Sequence, residues 1–147
     1  MAKFKFSLKS VEKYRNITLD EAKSKYAMAV SEVNKQQALI LKITSELADI
    51  NGELNIKNSQ GISILEYQGY KKYIKILQNR INEEEDKLKG LKKIETRRRH
   101  ELILAKTDVM SIEKLREKRY GEYLKDETKK QELATEEFVS NQLSSRK

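Results

Sequence analysis

Cysteine, proline and tryptophan are absent from this chain, and only 5 of its 147 residues are glycine. Without cysteine there is no disulfide and no thiolate metal site, which fits a reducing cytoplasm. So little glycine and proline argues against a β-sheet protein, which needs a turn every few residues. No apolar run approaches the roughly 18 residues of a membrane span, so no membrane insertion is expected. The start, Met1 to Lys9, alternates Lys with Phe and lacks the apolar run of a secretory signal. Histidine occurs once, as His100 between Arg99 and Glu101, with no second histidine to share a metal. Glu83, Glu84, Glu85 and Asp86 are consecutive, so on a helix they point around the axis and do not converge. Gly61 and Gly69 lack the lysine-serine continuation of a phosphate-binding loop. The expectation is a protein with no catalytic site, no metal and no cofactor.

What the chain does have is charge and period. Charged residues make up 37% of it and hydrophobic ones another 37%. One ladder runs Leu19, Ala22, Tyr26, Ala29, Val33, Gln36, Ile40, Ile43, Leu47, Ile50, Leu54. A second begins Tyr70, Ile74, Leu77, Ile81, Glu84, Leu88, Leu91, Glu95, Arg98. It continues Leu102, Ala105, Val109, Ile112, Arg116, Arg119, Tyr123. Steps of three and four alternate without a skip. That spacing holds one stripe on one helix face and, sustained over many turns, specifies a coiled coil. The turn residues Asn51, Gly52, Asn55, Asn58, Ser59 and Gly61 gather from the last rung of the first ladder into the gap before the second.

The expected fold is therefore all-α: two long helices in an antiparallel coiled-coil hairpin, the second longer and overhanging. The whole of 1–147 reads as one domain, with helix 1 over about 7–57 and a bend at about 58–62. Helix 2 is placed over about 63–140 and a frayed tail over 141–147. Ser7 is the expected cap of helix 1, and Ser63-Ile64-Leu65-Glu66 has the capping-box pattern for helix 2. At 1.5 Å per residue the helices span roughly 70–75 Å and roughly 110–120 Å. A bend at 58–61 makes partner numbers sum to about 117–120, so Gln36 faces the stretch from Leu77 to Glu84, and Leu8 faces Val109 to Ile112.

Three surfaces are left over by this arrangement. Beyond about residue 115, helix 2 carries Leu115, Tyr120, Tyr123, Leu124, Leu133 and Phe138 with no helix 1 opposite, which points to a partner at the open end. Near the bend, Tyr73 and Ile76 flank the ladder and widen its apolar arc, in the manner of docking anchors. Lys87, Lys89, Lys92, Lys93, Arg97, Arg98 and Arg99 form a basic run within a chain of net charge +8. Such a run reads first as a solvated face and second as a site for an acidic partner, nucleic acid included. A leucine-zipper DNA reader needs its basic helix to lead into a parallel seam. Here the run sits inside an antiparallel pair, which counts against nucleic acid as partner.

The two ends carry a resemblance. Phe4-Lys5-Phe6-Ser7-Leu8, with Val11 and Arg15, resembles the amino-terminal signature of the FliJ family, the small coiled-coil protein of the bacterial flagellar export apparatus. Glu113-Lys114-Leu115-Arg116-Glu117-Lys118-Arg119, followed by Glu122 and Tyr123, resembles its carboxy-terminal signature. Tyr67-Gln68, Tyr73-Ile74 and Leu77 resemble its segment after the bend. The resemblance implies a non-enzymatic coupling rod in type III flagellar export, similar in form to the stalk of a rotary ATPase. It implies a cytoplasmic place, peripheral at the cell membrane, and a part in motility and chemotaxis. The implied partners are the export ATPase hexamer FliI, the export gate FlhA and unloaded export chaperones. Carried over for the ATPase ring are Phe4, Phe6, Leu8, Arg15, Leu115, Glu117, Lys118, Arg119 and Tyr123. For the gate they are Tyr73, Ile76 and Leu77. The alternatives are a basic nucleic-acid-binding coiled coil and a generic scaffold or chaperone.

Overall fold

A computed structural model describes residues 3–145. Two helices account for nearly all of them: α1 (Lys9–Gln60, 52 residues) and α2 (Ile64–Ser145, 82 residues). The fold is an all-α antiparallel hairpin with the second helix longer, and there is no strand among the described residues. The break between them is three residues, 61–63. Gly61 takes φ 94°, the left-handed conformation that closes a helix and that a side chain disfavours. Ser63 then opens α2 as the capping pattern requires. Its hydroxyl accepts from the Glu66 backbone N–H at 3.2 Å, and its carbonyl accepts from Tyr67 N–H at 3.0 Å.

The start of α1 differs from expectation. The Leu8 carbonyl accepts from Glu12 N–H at 2.9 Å and the Phe6 carbonyl from Lys9 N–H at 3.2 Å, so Leu8 is the residue that enters the helix. The Ser7 hydroxyl does not cap; it accepts from Arg119 Nη1 at 2.5 Å. An arginine of α2 competes for that oxygen, and a charged donor makes the stronger bond. α2 for its part remains helical to Ser145, past the expected end near 140.

Packing divides the chain into two compact units. One comprises the chain up to Asp20 with Ile103 onward, the other Glu21–Leu102. In the second unit, Ala22, Ala29, Val33, Ile43 and Leu54 of α1 and Ile74, Leu77 and Leu102 of α2 are buried. Burying an aliphatic side chain of this size contributes about 1.5–3 kcal/mol, so this seam is the main cohesive term. One rung is polar. Gln36 Nε2 donates to the Glu84 carbonyl oxygen at 2.9 Å and to Glu84 Oε2 at 2.6 Å. That pairing falls at the expected register.

In the terminal unit, Phe6, Ala105, Val109 and Ile112 are buried. The register here departs from the expected one. Glu12 meets Arg116, and Ser7 meets Arg119, about two turns or more further along α2 than the expected register places them. For Ser7 the cause is that residues 3–8 are not helical, whereas Glu12 lies within α1 and is met by the long Arg116 side chain. An extended segment advances about 3.3 Å per residue against 1.5 Å in a helix. It therefore reaches further along α2 than helix geometry allows. The expected unpaired overhang shrinks accordingly. Tyr120 and Tyr123 have partners, and the wholly exposed stretch runs from Thr128 to Ser145.

Candidate functional sites on the hairpin

The first site gathers in the terminal unit. The strap of residues 3–8 lays two aromatic rings on α2. Phe6 is buried at 9% exposure, and the Arg119 guanidinium stands 5.9 Å from its ring centre. The Phe4 ring sits edge-on to Tyr120 at 5.2 Å and tilted to Tyr123 at 5.5 Å. Tyr120 and Tyr123 stack at 6.2 Å, as residues three apart on one helix face do. Edge and offset contacts of this kind satisfy the quadrupole of each ring.

Polar bonds fix the same end. Arg15 Nη1 donates to the Asp108 carbonyl oxygen at 2.9 Å, and Arg116 Nη1 to Glu12 Oε1 at 3.0 Å. The second Glu12 carboxylate oxygen is buried without a hydrogen-bond partner. It lies beside a cavity of about 350 Å³ lined by Phe4, Lys5, Phe6, Lys9, Glu12 and Arg116. Leu8 and Leu115 are half-buried, while Glu117 and Lys118 face solvent.

Of the residues carried over for an ATPase ring, the structure joins Phe4, Phe6, Arg119 and Tyr123 in one cluster. Arg15 ties α1 to α2 through backbone, and Glu117 and Lys118 remain as free surface. Sequence reading singled out neither the Glu12–Arg116 pair nor the contact of Phe4 with Tyr120. The one signal available was that Arg116 and Arg119 take ladder positions, where an apolar residue would sit against a helix.

The second site lies in the other unit, beside the bend. Tyr73 is 39% exposed and donates its hydroxyl to Glu46 Oε1. That bond, helped by partial burial, raises the phenol above the ordinary tyrosine value. Ile76 is 53% exposed. Leu77, expected among the gate-docking residues, is only 2% exposed. In this fold it belongs to the buried seam and exposes almost no surface. Lys57 lies 5.2 Å from the Tyr70 ring centre, and its pairing with Tyr70 raises the ammonium above its ordinary value. A shallow cavity of about 420 Å³ opens between Ile50, Lys57, Glu66, Gly69, Tyr70 and Tyr73. Ile56, Ile64 and Leu65 are also exposed around the turn. Sequence reading did not pick these out, because they lie in the gap between the ladders and flank neither.

Part of the basic run is engaged within the chain. Lys87 pairs with Glu84 at 3.4 Å, Arg98 with Glu101 at 3.0 Å and Arg99 with Glu95 at 3.1 Å. Arg99 also lies 5.9 Å from the Tyr26 ring centre, and Tyr26 is the first cause of its raised pKa. Lys89, Lys92, Lys93 and Arg97 make no ion pair among the described residues. No group of three or more histidine and acidic side chains that could hold a metal occurs among those residues. No described helix is long and apolar enough to cross a membrane.

Among known proteins, the model of a family described as Flagellar FliJ protein matches residues 4–147. No curated protein and no solved structure matches the chain.

Proposed function

The chain belongs to the FliJ family of flagellar proteins, and from that premise we propose that it is the coupling element between an export ATPase ring and a membrane export gate. Family membership makes it a component of the flagellar export apparatus. The finer role is our own reading. The terminal unit enters the ATPase ring, the bend-side face around Tyr73 and Ile76 meets the gate, and unloaded export chaperones are handled along the way. It acts as a mechanical and docking element and carries out no chemistry of its own.

The observation that carries this reading is the meeting of the two signature segments. Residues from the chain's start and from beyond Leu115 build one aromatic and basic cluster: Phe4, Phe6, Arg119, Tyr120 and Tyr123. Paired segments with aromatic and arginine side chains have the composition of interface anchors. Exposed Glu117 and Lys118 beside them supply charge for orientation.

A central element in a ring must bind once per ring, whatever the symmetry of the ring. Native mass spectrometry of the purified protein with the export ATPase should therefore give one copy per hexamer. One copy per ATPase subunit would mean peripheral decoration and would overturn the stalk reading.

A further inference from the structure

Phe4 and Phe6 open the chain, and the resemblance makes them contacts for the ring. The structure assigns them a different role. They clamp residues 119–123 of α2 in cis, and their effect on any partner passes through Tyr120, Tyr123 and Arg119. This rests on the ring-binding reading above for its consequence, but its structural half stands alone.

At that point α2 lacks a helical partner. α1 begins only at Lys9, so beyond about Arg116 no helix lies opposite α2. Most of a helix's stability in a protein comes from what packs against it, so an unopposed stretch is weakly held. Residues 3–8 fill that gap. The Phe4 ring touches both Tyr120 and Tyr123, which are one turn apart on α2. A single side chain thus bridges consecutive turns and opposes their unwinding.

Phe6 is 9% exposed, covered in part by the Arg119 guanidinium at 5.9 Å. The Ser7 hydroxyl accepts from Arg119 Nη1, so ring contact and hydrogen bond hold the same arginine. The strap is itself tethered, because Phe6 O accepts from Lys9 N–H where α1 begins. Arg116 on Glu12 locks the turn behind it. Order is therefore passed from α1 through the strap to residues 116–123 of α2. A side chain buried against its own chain has little face left for another protein. Phe4 and Phe6 are on this account positioning residues, and the exposed neighbours on α2 make the contacts.

The test separates position from contact. Hydrogen exchange on the free Phe4→Ala protein should accelerate over residues 118–124 by about tenfold, the loss expected for two ring contacts. Exchange over 22–54 should stay unchanged, which shows that the rest still folds. Binding of Phe4→Ala to the purified export ATPase should weaken in step.

A second protein then adds a helix staple to Phe4→Ala by crosslinking Glu122→Cys to Asp126→Cys. Both positions are exposed, and the native chain has no cysteine to interfere. The staple should restore protection and binding together, with the Phe4 ring still missing. Unchanged exchange in Phe4→Ala would overturn the clamp, as would restored protection without restored binding. If the unaltered protein fails to bind the ATPase at all, the ring reading falls, while the exchange result still decides whether the strap orders α2.

Discussion

Glu84 shows how single residues hold the seam in place. A carboxylate at a core position is costly unless its hydrogen bonds are made. Here Gln36 donates to it from the opposite helix and Lys87 from one turn on. The Gln36 bond, ahead of Lys87 and against the effect of burial, holds the carboxyl below the ordinary glutamate value of 4.5. A lowered folded pKa means that the contribution is complete above the unfolded value. It is lost as pH falls through the folded one. Gln36→Leu should lower the melting temperature by several degrees, since it strips a buried acceptor of its donor. Gln36→Leu with Glu84→Leu should melt at or above the parent and lose the acid-sensitive step below pH about 4.5. Melting curves across pH 3 to 7 for the three proteins check this. A double variant less stable than the single one would contradict it. Polar rungs also choose among registers, so the double variant should trade uniqueness for stability.

At the scale of the elements, glycine has opposite meanings in two places. Gly61 at φ 94° ends α1, and Gly61→Ala should cost about 1–2 kcal/mol because alanine resists that conformation. Gly90 stands inside α2 with open space where a Cβ would go, and Gly90→Ala should stabilise by about 0.5–1 kcal/mol. Denaturant titrations of the two variants should move in opposite directions. A shared direction would mean that the turn and the helix interior have been misjudged.

The far end of α2 offers a different test. From Thr128 to Ser145 every residue is exposed, with Leu133, Phe138 and Leu143 each about 60% so. Amide exchange should be fast there in the free protein and slow across 22–54, since a lone helix is marginal in water. Equal protection in a dilute monomer would contradict this.

The elements also show what the sequence made legible. The ladders located both helices, because a three-four period is a direct image of the buried stripe. The Ser63 cap and the Gln36 to Glu84 register were readable for the same reason, as both are local or follow from counting. The strap was not. Phe4-Lys5-Phe6 has no period, and the choice between a helix extension and an extended segment depends on contacts with Tyr120 and Tyr123 over a hundred residues away. Helical counting then placed Ser7 about two turns short on α2 and left Tyr123 without a partner. Leu77 was recognised as a ladder residue and still counted as a gate contact. Its burial follows from the ladder alone.

At the scale of the whole molecule, family membership and the gathered chain ends support a division of labour along one pair of helices. The terminal unit offers aromatic and basic groups, and the bend-side face offers Tyr73, Ile76 and exposed aliphatics around the turn. Fifty residues of chain separate Tyr73 from Tyr123, and the two belong to different compact units. Substitutions in one should therefore leave binding at the other nearly intact. The basic run between them, partly engaged in internal ion pairs, has no part in either contact on this account.

Equilibrium binding of three variant sets to the purified export ATPase and to the cytosolic part of the gate tests that division most directly. Leu115→Ala with Tyr123→Ala should weaken ATPase binding by about tenfold to a hundredfold, the usual cost of losing interface anchors, and spare the gate. Tyr73→Ala with Ile76→Ala should do the reverse. Neutralising Arg97, Arg98 and Arg99 should change neither by more than a few-fold. If the arginine set alone abolishes function, and removes binding to nucleic acid with it, the coupling account is wrong and the basic helix is the working surface.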